Sequence, residues 1–80
     1  MFIRKLKPGE RAAETADHVC IDRLEDGRIA WTGLVDVGGK TAFGASPGAG
    51  FASVQEAETD AIEWARSHGT TNLRIQGPNS

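Results

Sequence analysis

The chain has 80 residues, of which 39 % are apolar and 25 % are charged, and its formal net charge is −2. This length allows one domain, residues 1–80, and the composition is that of a folded chain, which excludes a second core and a largely disordered protein. A slightly acidic chain also lacks the overall basic surface that strong non-specific attraction to nucleic acid requires.

The single cysteine, Cys20, excludes an internal disulfide. No apolar run reaches the roughly 18 residues of a membrane-spanning helix, and residues 1–10 lack the apolar core of a signal peptide. We therefore expect a cytoplasmic protein that has no membrane partner.

The N-terminal segment, residues 1–17, divides into a short strand over residues 2–6 and an irregular remainder. Residues 10–17 are polar and rich in alanine and have no helix-capping signal, which indicates a loop. This is the only basic stretch of the chain, so it is either a solvated edge strand or a nucleic-acid contact. The candidate nucleic-acid contacts are Arg4, Lys5, Lys7 and Arg11.

Two strands and a tight turn come next. Residues 18–24 and 28–37 alternate in hydrophobicity with period two, and a turn at Asp26-Gly27 joins them. A two-residue loop would divide the apolar side chains between both faces of the sheet. A three-residue loop, with glycine in the left-handed conformation, places Ile21 opposite Trp31 and collects these side chains on one face, so we predict that loop.

The turn at Gly38-Gly39 presents the same choice. A two-residue loop puts Val35 opposite Ala42, whereas a three-residue loop puts Val35 opposite Phe43 and keeps Phe43 on the buried face. The burial pattern favours the second arrangement. We therefore predict a three-residue loop and a third strand over residues 41–45.

The segment from residue 51 to residue 69 has the clearest helical signal. Ser53 and Glu56 form a capping box at its start, and Gly69 offers a left-handed stop at its end. At about 100° per residue, one apolar stripe runs along this helix. Its members are Val54, Ala57, Ala61, Trp64, Ala65 and His68. The alanines predict close packing on a sheet, where we expect Trp64 to contact Trp31.

The expected fold is α+β with two layers. It consists of an antiparallel three-stranded meander, one helix and a short returning strand over residues 71–76, with the N-terminal strand as a further element. Residues 77–80 are predicted to be a frayed tail.

The glycine-rich loop over residues 44–50 precedes the helix N-terminus, where backbone amides can hold an anion. It lacks the Gly-Lys-Ser/Thr of a P-loop, and Glu56 and Glu58 would repel an anion there. His68 has no nucleophile that spacing pairs with it, and the end of a helix is a sufficient structural reason for a histidine. A small hydrolase or anion-binding domain is therefore only a third hypothesis.

His18, Cys20 and Asp22 are metal-ligand types that alternate along one predicted strand. Ligands on one straight strand do not converge easily on a single ion. We expect no metal, no cofactor and no catalysis.

The sheet face that turns away from the predicted helix is too apolar for plain exposure to solvent and too polar for a core. Such a face suits a protein partner or a second copy of the chain. Its candidate interaction residues are Cys20, Leu24, Ala30, Thr32, Leu34 and Ala42.

Three strands followed by a helix that begins Ser53-Val54-Gln55-Glu56-Ala57 resemble the HicB-type antitoxin domains, in which a three-stranded sheet leads to a Ser/Thr-x-Glu-Glu-Ala helix. The resemblance runs from Cys20 to about His68. The family's Pro-Gly-Cys segment is absent, since Ser46-Pro47-Gly48 matches it only loosely, and this sequence offers no separate DNA-binding element. The resemblance implies a small bacterial-type domain that binds a protein partner.

We expect a non-catalytic protein-interaction domain that self-associates, as a homodimer for example. The alternative is a nucleic-acid-binding module that uses the basic N-terminal segment.

Overall fold

The computed structural model describes residues 1–7, 10 and 17–78, which form one sheet and one helix. The strands are β1 (Phe2–Lys5), β2 (His18–Arg23), β3 (Ile29–Val37), β4 (Lys40–Ala45) and β5 (Asn72–Gln76), and the helix is α1 (Val54–Ser67). Most of the predicted irregular segment and the last two residues of the predicted tail lie outside the described residues. The α+β class, the meander of β2, β3 and β4, and the helix are confirmed.

The sheet is larger than predicted, and it is mixed instead of antiparallel throughout. Its strand order is β1-β5-β2-β3-β4, and β5 pairs in parallel with both β1 and β2. The N-terminal strand is therefore part of the sheet. Leu73 and Ile75 of β5 are each 1 % exposed, because α1 and both neighbouring strands surround them.

The first hairpin has the predicted register. Val19 lies opposite Gly33 and Ile21 lies opposite Trp31. Gly27 has a φ of 85°, which is the left-handed conformation expected of the bulge residue. The apolar side chains of both strands consequently share the inner face, which is the side of the sheet that faces α1.

The predicted three-residue loop of the second hairpin is wrong. Val37 pairs with Lys40, and Val35 pairs with Ala42 instead of Phe43. Gly38 and Gly39 have φ angles of 62° and 79°, as in a two-residue type I′ turn, whose twist matches that of the strands. This register turns Phe43 away from the helix, where it is 81 % exposed.

A close contact between α1 and the β3–β4 hairpin favours the register with the two-residue loop. Gly33 and Gly44 are cross-strand partners, and the indole of Trp64 lies on both of them. A Cβ atom at Gly44 would lie 2.3 Å from Trp64 Cε2, and one at Gly33 would lie 2.5 Å from Trp64 Cζ3. The predicted register would place the side chain of Phe43 on this crowded face.

The core lies between α1 and the inner face. Its buried members are Val19, Ile21, Ile29, Trp31, Val35, Ala57, Ala61, Ala65, Leu73 and Ile75. The predicted contact between Trp31 and Trp64 is confirmed, with 5.1 Å between ring centroids. His68 of the predicted stripe is instead the exposed C-cap residue of the helix.

The helix begins as predicted, with Ser53 as its N-cap. Ser53 Oγ accepts a hydrogen bond from the amide of Glu56 at 3.2 Å. The carboxylate of Glu56 accepts from the amide of Ala52, one residue before the predicted donor. Within the described ranges, no helix has the length and apolar character needed to cross a membrane.

Candidate interaction surface

The outer face is the side of the sheet that turns away from α1. Its side chains form cross-strand rows, because residues aligned in neighbouring strands project to the same side. The main row crosses all five strands and consists of Arg4, Arg74, His18, Leu34 and Phe43. The next row consists of Gln76, Cys20, Thr32 and Ala45. In the described part of the chain, α1 is the only helix and it covers the other face, so these rows lie on the open side of the sheet.

The main row changes character along its length. Arg4 and Arg74 are directly opposite each other at the β1 end. Leu34 and Phe43 are partners at the β4 end, where Leu34 is half-buried and Phe43 is exposed. The outer face therefore has a cationic side and an apolar side.

Carboxylates are also present on this face. Asp22 and Asp36 are exposed on the same side of β2 and β3 as the main row. On β1, Arg4 Nη2 forms an ion pair with Glu10 Oε2 at 3.1 Å. The outer face is consequently of mixed charge and is not a uniformly basic surface.

Four of the six predicted interaction residues lie together on the outer face: Cys20, Ala30, Thr32 and Leu34. Leu24 follows the end of β2, and its amide donates to the carbonyl of Arg28 in the hairpin loop.

The predicted placement of Ala42 on the outer face is wrong, because the two-residue loop turns Ala42 toward the core. Phe43 takes its place on the outer face. The consecutive glycines at 38 and 39 were the available signal for this register, since both positions of a type I′ turn need positive φ.

The basic N-terminal residues do not form one patch. Arg4 lies on the outer face, whereas Lys5 Nζ is 3.1 Å from Glu58 Oε1 of the helix on the opposite side. The amide of Lys7 donates to the carboxylate of Glu10. Arg11, the fourth candidate contact, lies outside the described residues.

Among the described strands none pairs with the outer edge of β4, so this edge has unpaired backbone groups. In this hairpin Lys40, Ala42 and Gly44 direct their amides and carbonyls to β3, because the pair that closes a two-residue hairpin is hydrogen-bonded and such pairs alternate. The bond from the Ser46 amide to the Trp31 carbonyl, at 2.9 Å, continues this alternation. The amides and carbonyls at positions 41, 43 and 45 therefore point away from the sheet.

Cys20 is half-buried in the second row of the outer face. Burial raises the pKa of its thiol, and the neighbouring carboxylate of Asp22 raises it further. This environment favours the neutral thiol over the reactive thiolate. Within residues 1–7, 10 and 17–78, no group of three or more His, Cys, Asp and Glu side chains is placed to hold a metal ion.

The glycine-rich loop is tied to the first hairpin. The guanidinium of Arg28 donates to the carbonyls of Ala49 and Gly50, at 2.6 and 3.1 Å. Phe51 and Ile29 exchange two backbone hydrogen bonds. The loop therefore directs two of its carbonyl oxygens toward a cation of the same chain.

Comparison of the chain with protein-family models, with curated proteins and with solved structures gives no match. The resemblance to the HicB-type antitoxin domains stays a prediction from the sequence.

Proposed function

We propose that this chain is a non-catalytic protein-interaction domain that binds a protein partner through the outer face and also self-associates. The observation that carries this proposal is the apolar side of the main row. Phe43 is 81 % exposed, and Leu34 and Thr32 lie beside it on the neighbouring strand. A contiguous apolar area on an open sheet marks an interaction surface, since its burial against a partner removes it from water.

The chemistry of the outer face favours a protein over a nucleic acid. Asp22 and Asp36 would repel phosphates, and the ion pair with Glu10 neutralises part of the charge of Arg4. The HicB-type resemblance points in the same direction, because it implies a domain that binds a protein partner. We extend that resemblance to this chain only as part of the proposal.

A nucleic-acid-binding module is the second candidate. It is favoured by Arg4 and Arg74, which are partners in neighbouring strands, and by Phe2, which is 80 % exposed on β1 and offers a ring for base stacking. Binding of this kind weakens steeply with salt. A salt-dependent shift on adding RNA or DNA, lost in the Arg4→Ala, Arg74→Ala double variant, would favour this candidate.

Capture from the native cell with matched variants tests the protein-interaction proposal. Leu34→Glu and Thr32→Glu each place a carboxylate on the outer face, and Gln55→Glu places one on the exposed side of α1 as the control. We expect one protein to be retained, after nuclease treatment, by the unchanged chain and by Gln55→Glu, and to be lost with both outer-face variants.

Thermal unfolding of each variant shows whether the fold survives the substitution. Retention of the same protein by folded Leu34→Glu and Thr32→Glu would contradict binding through the outer face. Loss of the captured protein on nuclease treatment of the unchanged chain would favour the nucleic-acid candidate.

A further inference from the structure

We propose that two copies of this chain join β4 to β4 in antiparallel orientation, around a two-fold axis that passes Phe43, so that their sheets become one. This inference rests on the self-association part of the proposed function and names the edge and the register. It concerns the rim of the sheet, whereas the protein partner proposed above binds its open face.

The two edge strands of the sheet, β1 and β4, differ in how strongly their residues discourage pairing with another strand. Proteins commonly guard an exposed edge strand with charged residues, proline or a bulge, because unpaired backbone groups invite another strand. β1, at one edge, is four residues long and carries Arg4 and Lys5. β4, at the other edge, begins with Lys40 beside the turn and then has no charged residue and no proline from Thr41 to Ala45. Its outward amides and carbonyls are therefore open to a strand of the same kind.

The outward groups of β4 are complementary to themselves. They belong to Thr41, Phe43 and Ala45, which are evenly spaced about Phe43. With a two-fold axis at Phe43, Thr41 of one copy lies opposite Ala45 of the other, and the two Phe43 residues lie opposite each other. All three positions of both copies then form hydrogen-bonded pairs of an antiparallel ladder. A shift of two residues would set Ala45 opposite Gly39 of the turn in one direction, or Thr41 opposite Pro47, which has no amide hydrogen, in the other.

The side chains of β4 also fit this register. On the inner face near the axis, β4 itself presents only Ala42 and Gly44, and the indole of Trp64 from α1 lies on Gly44. On the outer face the two phenyl rings become a cross-strand pair, and aromatic pairs of this type stabilise sheets. Pairing therefore brings the two exposed Phe43 rings into contact with each other and places no like charges opposite each other.

The assembly would enlarge the apolar side of the main row. Leu34 and Phe43 of one copy would adjoin Phe43 and Leu34 of the other across the axis, on the same side of the joined sheet. The cationic ends of the row, at Arg74 and Arg4, would lie far apart on both flanks. A partner of the outer face would then meet an apolar centre with basic margins.

Disulfide trapping tests whether the two-fold axis passes Phe43. In a Cys20→Ser background, Phe43→Cys puts two thiols opposite each other with Cα atoms about 5.5 Å apart, within the range that a disulfide spans. Thr32→Cys is the matched control: it lies on the same face, but three strand spacings across the sheet and four residues along the strands would separate the two copies, roughly 20 Å in total. Under mild oxidation we expect a covalent dimer from Phe43→Cys and none from Thr32→Cys.

The register is tested by variants that keep Phe43. Thr41→Cys and Ala45→Cys, mixed in the same background, should give the mixed covalent dimer. Each variant alone should give none, since like positions are then roughly 14 Å apart along the strands. Covalent dimers of Thr41→Cys with itself, or equal trapping at Thr32 and Phe43, would overturn the proposed pairing.

Sedimentation of the unchanged chain and of Ala45→Pro completes the experiment. The proline removes an outward amide and leaves the ladder to β3 intact, so we expect a dimer for the unchanged chain and a monomer for the variant. A strict monomer for the unchanged chain at high concentration would overturn the inference. That result would not bear on the binding of a protein partner by the outer face, which the Leu34→Glu and Thr32→Glu variants test separately.

Discussion

The indole Nε1 of Trp31 donates a hydrogen bond to the carboxylate Oδ2 of Asp60 over 2.9 Å. Trp31 is 2 % exposed in the middle of β3, and Asp60 lies on α1 above it. The bond gives the buried indole N–H a partner and ties the helix to the sheet at one point.

Removal of this acceptor should destabilise the fold. Asp60→Ala leaves the indole N–H of Trp31 without a partner, so we expect the free energy of unfolding to fall by about 1–3 kcal/mol. Asp60→Asn keeps an acceptor oxygen and should lose less. Urea unfolding followed by tryptophan fluorescence measures both variants, and an equal loss in the two would argue against the hydrogen bond as the cause.

The glycine pair beneath Trp64 should not tolerate a methyl group. Gly44→Ala brings a Cβ atom to within 2.3 Å of the indole, and we expect a loss of about 1–3 kcal/mol from overpacking. Gly48→Ala is the control, because no described residue other than its two chain neighbours has an atom within 4 Å of its Cβ position.

A double-mutant cycle attributes the loss to this contact. In a Trp64→Leu background the cost of Gly44→Ala should shrink, since the colliding ring is gone. An undiminished cost would contradict the proposed collision.

Position 70 should tolerate the replacement of threonine by a side chain of the same shape without a hydroxyl group. It is 5 % exposed, and its Oγ1 has no hydrogen-bond partner among the described residues. Thr70→Val keeps the shape and removes the unsatisfied group, so we expect the free energy of unfolding to be unchanged or to rise by about 1 kcal/mol. Thr70→Ser keeps the hydroxyl and loses the methyl group, and it should be less stable than the unchanged chain. A clear loss on Thr70→Val in urea unfolding would show that the hydroxyl has a partner after all.

The thiol of Cys20 should react slowly at neutral pH. Its pKa is raised by burial and by the carboxylate of Asp22, so the thiolate forms only at more alkaline pH than in an exposed cysteine. Asp22→Asn removes one cause and should speed alkylation by iodoacetamide at a given pH. The urea-unfolded chain is the reference, and equal rates for folded and unfolded chains would contradict the shift.

The same shift has a consequence for stability. The folded chain holds the thiol proton more tightly than the unfolded chain does, so this contribution is fully present below the unfolded pKa. It is lost as pH rises through the folded pKa. The free energy of unfolding should therefore fall more steeply at alkaline pH for the unchanged chain than for Cys20→Ser.

The helix and the first hairpin could be predicted because their determinants are local. Ser53 caps an amide three residues away, and the alanine stripe repeats at helical spacing within one segment. In the first hairpin, only one loop length puts Ile21 and Trp31 on the same face, so burial decides the register without knowledge of the helix.

The second hairpin could not be predicted in this way. β4 has Phe43 as its only large apolar side chain, and a single aromatic residue suits either face of a strand. The deciding contact is the indole of Trp64 on Gly33 and Gly44, and it comes from a helix that follows later in the chain. The predicted three-residue loop placed Ala42 on the outer face and Phe43 on the inner face. The proposed pairing depends on Phe43 being exposed on the outer face.

The types of the elements, the first register and the buried face of β2 and β3 follow from the amino-acid sequence, because hydrophobic periodicity and capping act over a few residues. The position of β5 between β1 and β2, and with it the row that contains Arg4, Arg74 and His18, depends on the folded arrangement of the whole chain. Backbone hydrogen bonds between strands are alike whatever side chains they carry. The neighbours of a strand are therefore chosen by the path of the chain over the sheet and by the packing of the helix.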